Sequence, residues 1–273
     1  MKNLKEALSK GEVLWGEIIL SASPVNIEIS GYLGYDFAFI DCEHASASPY
    51  GIEMENLIRA AEAANIVPLV RVIENNLSQI RKPLDFGAKG IIAPLISTKA
   101  DAARLVDSCL YPPDGNRGAC PGARATKYGA MEWFEYMEKA NRELFIGPII
   151  ERLRGIENLE EILSVKGISA IFFGPFDLAI ELGIKPQKEK EGGGTVSVLR
   201  NPVMDRHLEY LISTCKKYGV PVGTVAWDVD SAMEMVKRGS QIVSISTDNN
   251  MFAETAKMYI DSVREGLKKI KTS

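Results

Sequence analysis

Two carboxylates, Glu151 and Asp177, each follow a short apolar run, Leu144 to Ile150 for the first and Ile168 to Phe173 for the second. Between them, Gly155 to Lys166 carries Ile156, Leu159, Ile162 and Leu163 at helical spacing, so the stretch reads as strand, helix, strand. That unit is a parallel crossover whose two strands end at the same edge of a sheet. Both acids therefore meet at one rim, where a divalent cation takes two protein oxygens and fills its remaining positions with water or substrate. Acids at strand ends also cap the helix that follows, and Asp177 ahead of Leu178 and Ala179 could do only that.

Other reactive groups follow apolar runs in the same way. Asp41, Glu43 and His44 come at or just after Phe37 to Asp41, and Arg71 ends the run Pro68-Leu69-Val70. An imidazole titrating near ~6.5 suits a general base at neutral pH. Such a base needs an acceptor on its other ring nitrogen, and Asp85 is a possible one, its alternative being ordinary solvation at a helix end. Arg71 must meet an anion if it is buried, either an oxyanion of a ligand or Glu43 or Glu74. The second histidine, His207, sits in a helical stretch between Arg206 and Leu208 and reads as a solvent or groove residue. Arg117, Arg124, Lys127 and Arg152 add positive charge. No lysine stands at a strand end, so a Schiff-base nucleophile has no candidate. Neither GxGxxG after a strand nor GxxxxGK is present, which leaves a nucleotide site without support.

The elements that must position these groups are legible as alternating runs. Strands are expected at Leu14 to Leu20, Phe37 to Asp41, Pro68 to Val72, Gly90 to Pro94, Phe145 to Glu151, Ala170 to Gly174, Val222 to Ala226 and Ile242 to Ser246. Helix-like stretches such as Met54 to Ala64, Leu77 to Phe86, Ala100 to Cys109, Asp205 to Tyr218 and Ser231 to Arg238 fall between them. Near-continuous apolar strands need cover on both faces, and eight of them alternating with helices predict a closed (β/α)8 TIM barrel in one domain, residues 1–273. Gly87, Gly219 and Gly239 stand where helices end in a left-handed residue. Tyr111 to Gly129 is rich in proline and glycine and is expected to be an ordered lid-like loop over the site. Residues 185–200 carry alternating lysines and glutamates and then Gly192, Gly193 and Gly194, which reads as a flexible excursion. Phe252, Ala256, Tyr259, Ile260, Val263 and Leu267 make one stripe of a final amphipathic helix over 252–270 that needs a surface to cover it.

Composition narrows the classes. The 273 residues, 46% of them hydrophobic, suffice for one large core. A net charge of -4 offers no basic field, so no nucleic acid is expected as partner. No apolar run reaches the ~18 residues of a membrane span, and Met1 to Gly11 has no apolar signal core, so no membrane partner and a cytoplasmic location are expected. Cys42, Cys109, Cys120 and Cys215 form no CxxC pair and read as reduced thiols.

In their order along the chain, Asp41-Cys42-Glu43-His44, Val70-Arg71, Asp85-Phe86-Gly87, Tyr111-Pro112-Pro113 with Arg117-Gly118, Glu151, Ile156-Glu157-Asn158 and Gly174-Pro175-Phe176-Asp177-Leu178 resemble the HpcH/HpaI aldolases. The resemblance runs from about Leu4 to the C-terminal helix. It implies a class II, metal-dependent pyruvate aldolase that splits a 4-hydroxy-2-oxo acid reversibly into pyruvate and an aldehyde. By the same resemblance Glu151 and Asp177 ligate Mg2+, Mn2+ or Co2+, His44 and Asp85 form the base dyad, and Arg71 holds the keto oxygen. Amides near Gly174 and Phe176, where a helix begins, would take the pyruvate carboxylate. Homo-oligomers built as hexamers, a trimer of dimers with exchanged C-terminal helices, are typical of the family. Departures are Ile149 where glutamine is common, Phe176 where a small residue is usual, and Ile18 rather than Trp15 at a position sometimes held by tryptophan. The alternatives are an acyl-CoA lyase of the citrate lyase β-subunit or malyl-CoA lyase type, and a non-catalytic relative that binds 2-oxo acids.

Overall fold

Eight parallel strands close into a barrel: β1 (Leu14–Ile19), β2 (Phe37–Asp41), β3 (Val67–Arg71), β4 (Gly90–Ala93), β5 (Phe145–Ile150), β6 (Ile171–Phe173), β7 (Val222–Ala226) and β8 (Ile242–Thr247). Each pairs with its neighbours in sequence, and β1 closes the ring against β8, Leu14 opposite Ile242. The computed structural model describes residues 1–185, 187–188 and 196–272. The fold is the expected (β/α)8 TIM barrel, with every expected strand in place to within two residues at either end.

Two apolar layers hold it. One lies between strands and helices, where outward residues such as Ile40, Val70, Ile91 and Val243 meet Ile58, Ile80 and Leu105 of the surrounding helices. The other fills the barrel itself with Phe37, Phe39, Leu69, Ile92, Phe145, Ile149 and Phe172. Ring packing at its centre depends on missing side chains: a Cβ on Gly223 would fall 2.6 Å from the Phe172 ring, and one on Gly16 2.2 Å from Phe37. At the N-terminal end of the strands, the short helix Leu4–Ser9 inserts Leu4, Ala7 and Leu8 into this inner cluster. Each buried leucine contributes ~1.5–3 kcal/mol, so the helix acts as a plug and leaves the opposite end as the open one.

Three expectations need correction. The single helix over 155–166 is two, Leu153–Glu157 and Leu159–Leu163, broken at Asn158, whose Nδ2 donates to Ser97 O at 2.9 Å. The second correction concerns the loop Tyr111 to Gly129, which joins the end of helix Lys99–Cys109 to helix Trp133–Glu143 and so to the start of β5. Barrel helices run back against the strands, so this loop belongs to the N-terminal end and does not cover its own chain's open mouth. It is well anchored there: Arg117 is 3% exposed and stacks 4.4 Å from the Tyr111 ring centroid, while Arg124 donates to Phe86 O at 2.7 Å and pairs with Glu62. The third follows from the same geometry. Asp85, near the end of helix Leu77–Phe86, lies at that N-terminal end too, with Arg117 Nη2 donating to it at 3.3 Å.

The flexible excursion expected over 185–200 falls largely on 186 and 189–195, outside the described residues; beside them Gln187–Lys188 pairs antiparallel with Val196–Ser197. The final helix, Asp248–Thr272, is longer than expected and leaves its apolar stripe uncovered by its own chain, with Phe252 77% and Val263 65% exposed. Among the described residues no helix is long and apolar enough to cross a membrane.

Candidate active site

The open end of the barrel holds a cavity of about 260 Å3, bordered by residues at the C-terminal ends of β1, β2, β3, β5, β6, β7 and β8. Asp41, His44, Arg71, Glu151, Gly174, Phe176 and Asp177 all line it. Among the described residues no lysine lines it.

Asp41 organises one side. Its carboxylate is fully buried and accepts from Arg71 Nε and Nη2, both at 2.7 Å, a two-pronged pairing that fixes the guanidinium plane. The β2–β3 register sets Asp41 directly beside Arg71, so the pair is a consequence of strand alignment. Asp41 Oδ1 also accepts the amide of Glu43 at 2.9 Å and thereby shapes the turn that carries Glu43 and His44. Arg71 Nη1 lies 3.2 Å from Glu43 Oε2, close enough for an ion pair, although that buried oxygen receives no hydrogen bond of good geometry. Burial works against the charge on Arg71, but the hydrogen bond and charge of Asp41, then Glu43 and Glu151, hold it protonated above the ordinary arginine range. Sequence reasoning named Glu43 or Glu74 as the partner and missed Asp41, although Asp41 stands at a strand end one strand away.

Glu151 carries the other side. It is 4% exposed, and its Oε1 accepts the amide of Leu95 at 2.6 Å. Leu95 adopts φ 58°, a left-handed conformation costing about 1 kcal/mol in a residue with a Cβ, and so turns that amide toward the carboxylate. Burial first, and then the charges of Glu43 and Asp177, push the Glu151 carboxyl up to about 7. Glu43 is raised as well, chiefly by burial and then by Asp41 and Asp177 against the opposing pull of Arg71. Asp177 is followed at 3.7 Å by Arg152 Nη2.

The first turn of helix Pro175–Glu181 begins at the end of β6, and its N-cap, Gly174, offers no side chain. The Gly174 amide is not free to hold a carboxylate, because it donates to Ile150 O at 3.0 Å in the barrel ladder. Its contribution is space: a Cβ there would stand 2.7 Å from Glu151 Oε2. Phe176 turns toward Trp227, their rings 5.9 Å apart and inclined at 67°, and the cavity stays open beside them. Ile149 lies in the inner core and reaches the cavity floor. Ile18 lines the cavity, whereas Trp15 packs into the outer layer.

His44 is 61% exposed and its Nε2 is 3.8 Å from Glu43 Oε2. Asp85 does not orient it within the chain, since the two stand at opposite ends of the barrel; Glu43 is the nearest acid. His207, in helix Pro202–Lys217, is not among the cavity residues. The four cysteines are free thiols, and burial pushes Cys42, Cys109 and Cys215 up to about 12.

Glu151 and Asp177 at the cavity and Glu43 beside it repel one another, and a cation would relieve that repulsion. Among the described residues no group of three or more His, Cys, Asp or Glu converges into a full metal cage. Two carboxylates with water and substrate in the other positions is the pattern a Mg2+-type ion accepts, and Glu151 and Asp177 both line the cavity. The residues present therefore fit a divalent cation.

Known proteins similar to this chain are aldolases and their relatives. A 2-keto-3-deoxy-L-rhamnonate aldolase of Klebsiella pneumoniae is 32% identical over 92% of this chain and 88% of its own. A crystal structure of an HpcH/HpaI aldolase/citrate lyase family protein from Burkholderia cenocepacia superposes with a TM-score of 0.86 at 28% identity, covering 97% of this chain and all of that one. The citrate synthase SbnG superposes with a TM-score of 0.84 at 26% identity over 97% of this chain and 98% of its own. The family model of HpcH/HpaI aldolase/citrate lyase matches residues 14–255, and the chain belongs to that family.

Proposed function

We propose that this enzyme, an aldolase of the carbon–carbon lyase class, cleaves a 4-hydroxy-2-oxo acid reversibly to pyruvate and an aldehyde in the cytoplasm. One observation carries the reading: Arg71, held from behind by two acids, faces the same small cavity as Glu151 and Asp177. Glu151 and Asp177 are the residues that would hold a divalent cation, Mg2+, Mn2+ or Co2+, which as a Lewis acid favours negative charge on the 2-oxo oxygen.

In cleavage the C3–C4 bond breaks, its electron pair moves toward the 2-oxo group, the C4 hydroxyl gives up its proton as C4 becomes the aldehyde carbon, and C3 of the resulting enolate takes up a proton to give pyruvate. Arg71 contributes preorganised donors: Asp41 takes Nε and one Nη2 hydrogen, Glu43 lies against Nη1, and the other Nη hydrogens remain for the developing oxyanion. His44, free at the rim, takes the C4 hydroxyl proton, with Glu43 rather than Asp85 as the acid beside it. A dyad between His44 and Asp85 requires two chains, because each chain keeps them apart. The Phe176 amide, in a first turn that has no side-chain cap, would receive the substrate carboxylate.

A coupled assay for pyruvate tests the reading directly. Incubation with a series of 4-hydroxy-2-oxo acids should release pyruvate with Mn2+ present and stop on adding EDTA; release from none of them, or release indifferent to EDTA, would sink it. His44→Ala should lower kcat about 10^2-fold while leaving divalent-cation affinity, measured by calorimetry, within about twofold of the parent. Equal losses in both would make the imidazole a cation ligand instead of a base.

The acyl-CoA alternative gains no support: among the described residues that line the cavity the bases are Arg71, held by Asp41 and Glu43, and the single imidazole of His44, too few to form a phosphate-binding groove. The non-catalytic alternative rested on Ile149 and Phe176, and neither closes the cavity.

We further propose that the chain works as a homo-oligomer, with helix Asp248–Thr272 seated on another copy. Its exposed Phe252, Tyr259, Val263 and Leu267 form a stripe too apolar to stay in water on a stable monomer. Sedimentation velocity should show a hexamer, or at least a dimer, that Tyr259→Glu combined with Val263→Glu converts to smaller species; a wild-type monomer would refute this.

A further inference from the structure

The cavity's charge is distributed unevenly around the barrel. Its titratable residues, Asp41, His44, Arg71, Glu151 and Asp177, all come from β2, β3, β5 and β6. The remaining arc, from the helix after β6 through β7 and β8 to β1, presents Phe176, Val225, Trp227, Ile18 and Leu20, with the hydroxyls of Thr224, Ser244 and Thr247, that of Thr224 buried without a hydrogen-bond partner. The acids that do stand on that arc are occupied elsewhere. Asp248 accepts the amides of Leu20 and Asn249 and the side chains of Ser21 and Asn26, while Asp228 caps helix Val229–Arg238 through Ser231.

The 2-oxo acid portion of a substrate needs Arg71 and the carboxylates, so the group attached to C4 extends from the charged arc toward the other one. We infer that the aldehyde partner carries an apolar substituent, alkyl or aryl, seated against the Phe176–Trp227 pair. The inference rests on the aldolase reading above and adds the substrate class. A carboxylated substituent would meet no cation on that arc, and a polyhydroxylated one would find only the hydroxyls of Thr224, Ser244 and Thr247 among Ile18, Leu20, Val225 and two aromatic rings, leaving part of its polar atoms unpaired. An apolar substituent gains from the same contacts, and the edge-to-face pair is a rigid wall for it. At about 260 Å3 the cavity is below the ~300–1,000 Å3 common for small-molecule sites, which restricts the substituent to a short chain or one ring.

The test runs in the condensation direction, where C3 of pyruvate loses a proton, bonds to the aldehyde carbon, and the aldehyde oxygen gains a proton. Initial rates with excess pyruvate and Mn2+ should give kcat/KM at least about tenfold higher for butanal or benzaldehyde than for glyceraldehyde or succinic semialdehyde. Trp227→Ala should bring that ratio near one, and Trp227→Phe should retain most of it. Equal or better use of glyceraldehyde or succinic semialdehyde by the wild type would overturn the inference, as would an unchanged ratio in Trp227→Ala. Deuterium exchange into the pyruvate methyl group, followed by NMR without any aldehyde, separates the two levels. Exchange together with the wrong preference refutes the substituent class alone; neither exchange nor condensation refutes the aldolase reading itself.

Discussion

Glu151→Gln is expected to lower pyruvate release on the order of 10^3-fold and to abolish the response of the protein's melting temperature to Mn2+. The amide keeps the shape of the buried side chain and its acceptor for the Leu95 amide, so the loss is one of charge. Without a cation, Glu151 keeps its proton until about pH 7, whereas the ordinary value is 4.5. Across that window the folded chain binds more protons than the unfolded one. Its stability therefore falls as pH rises from about 4.5 toward 7, by up to about 3 kcal/mol if the shift were fully realised. A cation displaces that proton and removes the penalty, which makes binding weaker below pH 7 and stronger above it. Melting curves of the wild type should accordingly show a larger Mn2+-induced rise at pH 8 than at pH 5, and the Gln variant no rise at either. A rise of equal size in the Gln variant would place the ion somewhere other than Glu151.

The barrel was legible because its signal is repetitive. Eight apolar runs of strand length, separated by helical ones, leave few ways to cover both faces of a parallel sheet, and the strand ends then nominate Asp41, His44, Arg71, Glu151 and Asp177 for one mouth. What failed were statements about direction and satisfaction. Asp85 and the loop Tyr111 to Gly129 were expected near His44, yet both follow helices that run back to the plugged end, where Arg117 joins them. Strand and helix polarity alone would have shown this. Gly174 was expected to donate its amide, which the β5–β6 ladder already uses. The Leu95 amide on Glu151 had no sequence signal, because a leucine at positive φ is not announced by its type. The Phe176–Trp227 pair joins residues from successive βα units, brought together by the pairing of β6 with β7 across the long stretch between them.

Asp41→Ala should be the most damaging substitution for stability among the cavity residues, at about 3–5 kcal/mol. Asp41 is fully buried and the Arg71 side chain is 16% exposed, and a largely buried ion pair that loses one partner leaves the other charge desolvated without its hydrogen bonds. Glu43 could take up part of the charge, but it approaches only Nη1 and cannot replace the two-pronged contact. The same removal frees the amide of Glu43, so the turn carrying His44 loosens as well. Chemical denaturation should show the midpoint falling with an unchanged slope, which marks a stability loss rather than a new unfolded state. Asp41→Ala combined with Arg71→Met distinguishes this cause from mere cavity formation. If the uncompensated guanidinium is what destabilises, the double variant should recover much of the loss, since an apolar pair in place of a buried ion pair is often neutral. It should still fail to release pyruvate, because the donors for the oxyanion are gone. A double variant as unstable as the single one would assign the cost to packing, and Asp41 would then be a core residue that happens to touch Arg71.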